Sequence, residues 1–91
     1  MTESFSFLGH SVNVNKLTKI DLEFGKILRK KRLHKKLTQE ALSVDSGLSR
    51  AYISELEMGH KDPSLFTLFK LSSALNIKIS SLIDEINIEA R

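Results

Sequence analysis

The sequence predicts a small all-α domain of five helices, preceded by a short β-hairpin or a flexible arm. Three observations support this fold class. The length of 91 residues fits one domain. Apolar residues recur at helical spacing from residue 20 onward. A residue suited to capping a helix N-terminus precedes each of three internal helical segments. The predicted helices cover residues 21–35, 38–46, 49–57, 64–75 and 80–87.

The first twenty residues have a different pattern. Phe5 and Phe7, and then Val12 and Val14, alternate with polar residues on either side of a turn signal at Gly9. This period of two indicates a short β-hairpin. A lone hairpin is marginal in water, so a flexible arm is the alternative. We therefore divide the chain into an arm (1–20), a domain (21–87) and a tail (88–91).

The first helix has an apolar stripe and an unusual arginine. Ile20, Phe24, Ile27 and Leu28 follow the i, i+4, i+7, i+8 spacing of an amphipathic helix. Arg32 lies on the same row, four positions after Leu28. Because an unpaired buried charge is costly, Arg32 requires an anionic or polar partner.

The second and third helices are short and closely joined. Thr38 is a suitable N-cap for the second, and Gly47 can take the left-handed conformation that ends it. Ser49 caps the third helix, whose Ile53 and Leu56 face the core. Two short helices joined by a glycine turn are the skeleton of a helix-turn-helix.

The last two helices follow a loop that contains Gly59 and Pro63. Ser64 caps the fourth helix and Asn76 ends it. A final short helix is predicted from Ser80 onward.

Composition excludes several classes of function. The chain has no cysteine, and no run of about 18 apolar residues that would span a membrane. Residues 1–15 lack the basic region and cleavage signature of a secretory signal, so we expect a cytoplasmic protein. His10, His34 and His60 show no metal-ligand spacing, and no nucleophile elbow or glycine-rich phosphate loop occurs. We expect no enzyme activity, no metal and no cofactor.

The net charge of +3 is unevenly distributed. Residues 26–36 contain seven cations and no acid, whereas residues 51–91 contain four cations and six acids. A basic cluster of this kind indicates either a side that faces a polyanion or a solvated helix face, and charge alone leaves both open.

Three segments in fixed order resemble a known family. They are residues 37–42 (LTQEAL), residues 52–59 (YISELEMG) and the stretch from Pro63-Ser64-Leu65 to Asn76. With this spacing, the chain resembles the Cro/phage-repressor-like, or XRE, family of DNA-binding proteins. The resemblance implies a five-helix, lambda-repressor-like helix-turn-helix domain that places its third helix in the major groove. It also implies an ion pair between Arg32 and Glu57. The family often has glycine where this chain has Lys36, so Lys36 is expected at positive φ.

The implied docking geometry assigns residues to two kinds of DNA contact. The expected base-edge readers are Ser49, Arg50, Ala51, Tyr52, Ser54 and Glu55. The Arg50 guanidinium can donate to guanine O6 and N7, and a phosphate contact is the alternative for this residue. For Tyr52 the alternative to a base contact is a contact with the sugar-phosphate backbone. The expected phosphate contacts are Lys35, Lys36, Thr38, Gln39, His60 and Lys61.

One such domain buries too little surface for tight specific binding, so we expect a homodimer on a palindromic site in double-stranded DNA. The candidate dimer residues are Phe66, Leu82, Ile83, Ile86 and Ile88, unless they only close the monomer core. The expected role is a restriction–modification controller or a phage-type repressor. An antitoxin bound to a toxin partner, or an interaction module without DNA binding, is the alternative.

Overall fold

The structure is a computed structural model that describes residues 4–7 and 10–86, with side chains from residue 19 onward. Two strands, β1 (Ser4–Phe7) and β2 (His10–Asn13), pair antiparallel with Ser4 opposite Asn13 and Phe7 opposite His10. This is the segment for which the sequence predicted a hairpin or an arm. The helices are α1 (Val14–His34), α2 (Gln39–Ser46), α3 (Arg50–Glu57) and α4 (Leu65–Leu75), followed by a 3-10 helix (Ile79–Leu82).

Helix α1 is longer than the sequence indicated. It begins at Val14 rather than at residue 21, so the expected boundary between arm and domain falls inside it. Residues 14–20 contain neither glycine nor proline, so nothing in them stops a helix that the stripe further along stabilises. The start of this helix was therefore predicted wrongly.

Three serine and threonine caps fix the starts of the next helices, as predicted. The hydroxyls of Thr38, Ser49 and Ser64 accept backbone N–H groups three residues later, at 3.0, 3.1 and 3.0 Å. Asn76, with φ of 55°, ends α4 in the left-handed conformation. Each cap satisfies one of the N–H groups that a helix start leaves unpaired.

The core is made by all four helices and the 3-10 helix. Its fully buried side chains are Leu28, Leu42, Ile53, Leu56, Leu71, Leu75 and Leu82. Helix α1 lies directly against the C-terminal end of α3 at Gly25. A Cβ atom at Gly25 would lie only 2.5 Å from the Leu56 carbonyl oxygen. The absence of a side chain at Gly25 therefore sets how closely α1 and α3 approach.

The predicted fifth helix (80–87) is instead the single turn of 3-10 helix at Ile79–Leu82. The Ile83 N–H bonds to the Ser80 carbonyl and the Ile86 N–H to the Ile83 carbonyl, both at 3.1 Å. Serine, aspartate and β-branched isoleucine are weak helix formers, so this segment stays short. Leu82 nevertheless anchors it, with its side chain fully buried.

The connection between α1 and α2 contains the expected strained residue. Lys36 has φ of 60°, in the left-handed region that favours glycine. Its N–H donates to the Leu33 carbonyl at 2.9 Å, and the next N–H, from Leu37, donates to the Arg32 carbonyl at 3.1 Å. This turn closes α1 and directs the chain into α2.

Candidate nucleic-acid interface

The turn between α2 and α3 is held by two hydrogen bonds between side chain and backbone. Gly47 ends α2 with φ of 77°. The Ser43 hydroxyl donates to the Leu48 carbonyl at 2.5 Å, and the Leu48 N–H donates to the Ser46 hydroxyl at 3.2 Å. The Ser43 hydrogen bond ties α2 directly to the turn that leads into α3.

Helix α3 has one buried face and one exposed face. Ile53 and Leu56 are fully buried, which fixes the helix to the core. Ser49, Arg50 and Ala51 are exposed at its N-terminal end. The other expected base readers, Tyr52, Ser54 and Glu55, are half-buried. The side chains most available to a ligand are therefore those of the first turn.

The Arg50 guanidinium has a loose acidic neighbour that sequence reasoning missed. Its Nε lies 3.9 Å from Oε1 of Glu40 on α2, and the two side chains are 61% and 79% exposed. An exposed pair at this distance is weak, so Arg50 is free to exchange Glu40 for a stronger acceptor. The spacing of ten residues between them gave no local signal of this contact.

Tyr52 is only partly directed to solvent. Its hydroxyl lies 3.3 Å from Oγ1 of Thr67, and the Ser64 hydroxyl donates to the same Thr67 oxygen at 3.0 Å. Tyr52 therefore lies between the exposed first turn of α3 and the start of α4.

A buried polar network holds α1, α2 and α3 together. Arg32 donates to both carboxylate oxygens of Glu57, from Nε at 2.6 Å and from Nη2 at 2.9 Å, and both side chains are about one-twentieth exposed. A third bond, from Nη1, reaches the Leu37 carbonyl at 2.8 Å. The hydrogen bond to Glu57 raises the pKa of Arg32, outweighing its desolvation. The expected Arg32–Glu57 ion pair is thus present, and it satisfies the arginine on the apolar row.

Gln39 joins this network and is less free than expected. Its Nε2 donates to Glu57 at 3.1 Å, so its side-chain amide is held by α3. A phosphate at the start of α2 would therefore meet the backbone N–H groups and Thr38 before the Gln39 amide.

The remaining expected phosphate contacts are exposed and come from two segments of the chain. Lys35, Lys36 and Thr38 lie before or at the start of α2, and His60 and Lys61 lie in the loop that follows α3. The structure brings His60 beside Glu55, with 3.6 Å between Nδ1 and Oε2. This contact partly occupies the Glu55 carboxylate that was expected to reach a base.

The seven cations of residues 26–36 do not form one surface. Arg32 is buried in the ion pair, and Lys30 and Lys31 approach the Glu85 carboxylate at 3.1 and 3.4 Å. These two lysines hold the pKa of Glu85 below its ordinary value through hydrogen bonds. Of this run, Lys35 and Lys36 lie nearest to the start of α2 in the chain.

The candidate dimer residues separate into different environments. Phe66 is 69% exposed and Ile83 is 44% exposed. The prediction of Leu82 as a dimer residue is wrong, because its side chain is fully buried in the monomer core. Ile86 is half-buried against that core, and Ile88 lies outside the described residues.

Sequence reasoning missed part of this surface. Leu65 and Phe69 on α4, which were not among the candidate dimer residues, are 67% and 55% exposed. Together with Phe66 they form one outward side, which we call the α4 apolar face. Lys70 lies over the Phe66 ring, with Nζ 4.6 Å from its centroid.

Comparison with known proteins places this geometry in a family. A family model described as Helix-turn-helix, HTH_3, matches residues 28–82, more than half of the chain. The chain belongs to the helix-turn-helix family of DNA-binding transcriptional regulators. The matched region begins within α1 and ends at Leu82, so it contains the complete α2–α3 unit.

Several members of this helix-turn-helix family are similar over most of the domain. Control protein C.MunI from Mycoplasma sp. is 38% identical over 71 residues, which is 77% of this chain and 96% of that protein. An immunity repressor protein of Bacillus phage phi105 is 36% identical over 61 residues, 67% of this chain but only 42% of the repressor. The crystal structure of the restriction-modification controller protein C.AhdI from Aeromonas hydrophila has a TM-score of 0.67 and 40% identity, covering 68% of this chain and 94% of that one.

In the part of the chain that the structure describes, no helix is both long and apolar enough to cross a membrane. In the same part, no three His, Cys, Asp or Glu side chains come together as potential metal ligands.

Proposed function

We propose that this protein binds a palindromic operator in double-stranded DNA as a homodimer and regulates transcription without catalytic activity. The single observation that carries the proposal is the arrangement of α3. Its apolar side is fully buried and its first turn presents Arg50 at 61% side-chain exposure. A helix held in this way is suited to enter the major groove with its N-terminal residues against base edges.

Each exposed residue has a part in the proposal. Arg50 reads one guanine per half-site through O6 and N7, and Ala51 contacts a neighbouring thymine methyl. Lys35, Lys36 and Lys61 contact phosphates, which set affinity and salt dependence rather than sequence choice. The proposed phosphate contacts therefore come from the turn that precedes α2 and from the loop that follows α3.

The dimer uses the α4 apolar face together with Ile83. Three exposed apolar residues on one side of α4 are more than isolated surface residues and are typical of an interaction surface. Two recognition helices related by a two-fold axis would meet half-sites about 34–36 Å apart.

The controller and repressor roles are favoured over the antitoxin role. Relatives that match over nearly their whole length include the controller proteins C.MunI and C.AhdI, and a phage immunity repressor matches in its helix-turn-helix region. Purification of the expressed operon tests the antitoxin alternative, which requires a second protein bound tightly to this chain.

Selection of bound fragments from random duplex DNA tests the main proposal. We expect a palindromic consensus that contains a guanine in each half-site. Arg50→Ala should relax the preference at that guanine by about 1–3 kcal/mol per half-site. The matched control is Lys61→Ala, which should weaken all sequences similarly and lower the salt slope by about 1. Failure to enrich any sequence, together with no salt-dependent binding, would refute the proposal.

A further inference from the structure

Three hydroxyl groups form a chain from the start of α4 to α3. The Ser64 oxygen accepts the Thr67 backbone N–H at 3.0 Å, and the Ser64 hydroxyl donates to the Thr67 oxygen at 3.0 Å. The Thr67 oxygen in turn lies 3.3 Å from the Tyr52 hydroxyl. Thr67 is 7% exposed, Tyr52 is half-buried and Ser64 is exposed. The hydroxyl chain therefore connects the exposed Ser64, through the buried Thr67, to Tyr52 on α3.

The number of protons available fixes which hydroxyl donates and which accepts in this hydroxyl chain. Each hydroxyl carries one proton, and the Ser64 proton is used on Thr67. Buried hydroxyl protons are normally donated to a partner. Apart from Ser64, whose own proton is donated to Thr67, the hydrogen-bond partner of the Thr67 hydroxyl among the described residues is the Tyr52 oxygen. The reverse arrangement, with Tyr52 as donor, would leave the Thr67 proton without that acceptor. The favoured order is therefore Ser64 to Thr67 to Tyr52, which leaves the Tyr52 proton without an acceptor among the residues that the structure describes.

We infer that this hydroxyl chain directs the Tyr52 O–H to a DNA phosphate beside the groove that α3 enters. The inference rests on the proposed function. A phosphate oxygen only accepts hydrogen bonds, which matches a phenol that has one outward proton and whose oxygen already accepts from Thr67. Tyr52 also lies toward α4, beside the first turn of α3, where the wall of the groove is expected. Tyr52 thus belongs with the phosphate contacts rather than with the base readers.

Ser64 and Thr67 act in this scheme as positioning residues. The separation of 3.3 Å is longer than the 2.5–3.0 Å usual for hydroxyl pairs, so the last link orients the phenol without immobilising it. Hydrogen bonds in a chain also polarise one another, which strengthens the final donor.

Affinity measurements on the full chain with the selected operator and with an unrelated duplex test the inference. Tyr52→Phe removes only the hydroxyl, and we expect the affinity for both duplexes to fall about tenfold for each protomer of the dimer, as for a lost hydrogen bond to a charged group. The salt slope should stay unchanged, because a neutral phenol releases no counterion. Thr67→Val should weaken binding by a smaller factor, and Thr67→Ser, which keeps the hydroxyl, should bind like the wild type.

The double variant separates a positioning role from a merely structural one. In the Tyr52→Phe background, Thr67→Val should cause no further loss of affinity, because the two changes remove the same contact. An equal loss in both backgrounds would overturn the inference, as would unchanged affinity for Tyr52→Phe. A loss confined to the operator would mean that Tyr52 reads a base, which also overturns it. If Tyr52→Phe has no effect while Arg50→Ala still relaxes the consensus, only this inference fails; a wild type that ignores duplex DNA would refute the proposed function as well.

Discussion

The buried ion pair between Arg32 and Glu57 makes the sharpest stability prediction. Glu57→Leu removes the partner of three network bonds, from Arg32 Nε, from Arg32 Nη2 and from the Gln39 amide. The Arg32 side chain is only 6% exposed, so it would remain as an uncompensated buried charge. Breaking a buried pair in this way costs about 3–5 kcal/mol. A domain of this size has about 5–14 kcal/mol in total, so a large part of the stability is at stake.

Urea unfolding followed by circular dichroism measures the effect. With a slope of about 1–2 kcal/mol per molar urea, the midpoint should fall by about 2–4 M. The double variant Arg32→Met with Glu57→Leu should be more stable than Glu57→Leu alone, because it leaves no buried charge. Lys61→Ala is the exposed control and should stay within about 0.5 kcal/mol of the wild type. A loss below about 1 kcal/mol for Glu57→Leu, or a double variant less stable than that single one, would refute the reasoning.

Three further predictions concern the backbone and one carboxylate, each measured by thermal unfolding. Gly25→Ala should destabilise the fold by about 1–3 kcal/mol, because the added Cβ would lie 2.5 Å from the Leu56 carbonyl oxygen. Helix propensity alone would instead give a gain of about 1 kcal/mol. Such a gain would contradict the close approach of α1 and α3. Lys36→Gly should stabilise the fold by about 0.5–1 kcal/mol, because glycine adopts a φ of 60° without strain. The matched control Lys35→Gly should give no gain. Equal effects of the two substitutions would be inconsistent with strain at Lys36. Burial and the Asp62 carboxylate raise the pKa of Asp21 above its ordinary 3.8. The folded state therefore binds the Asp21 proton more tightly than the unfolded state does. The free energy of unfolding falls as pH rises from 3.8 through the raised pKa. Asp21→Asn should therefore increase the melting temperature at pH 7 and flatten the acid side of the profile, and a decrease at pH 7 would contradict this sign.

The elements that the sequence predicted well are those with local signals at their ends. Thr38, Ser49 and Ser64 each cap a helix through a backbone N–H three residues away, and Gly47 adopts the left-handed conformation expected of it. Such signals act within one helical turn, so one sequence is enough to locate them. The segment after Lys78 had helical spacing but weak helix formers, and it folds as a single 3-10 turn.

The features that the sequence did not predict depend on contacts between distant residues. Gln39 donates to Glu57, eighteen positions away, and Tyr52 meets Thr67, fifteen positions away. Both were assigned to DNA from their places on the helices, and their partners appear only once α2, α3 and α4 are packed together. Leu65 and Phe69 fit the apolar period of α4 but lie on its outer side. Periodicity identifies a stripe without showing which neighbour covers it.

The proposed reading of guanine by Arg50 can be tested at a single atom of the DNA. Replacement of the half-site guanine by 7-deazaguanine removes the N7 acceptor and leaves the base pair intact. We predict that wild-type protein binds this operator about five- to tenfold more weakly than the unmodified one, whereas Arg50→Ala binds the two equally, since its guanidinium is gone. An equal loss for both proteins, or no loss for the wild type at any selected guanine, would contradict the claim that the first turn of α3 reads base edges.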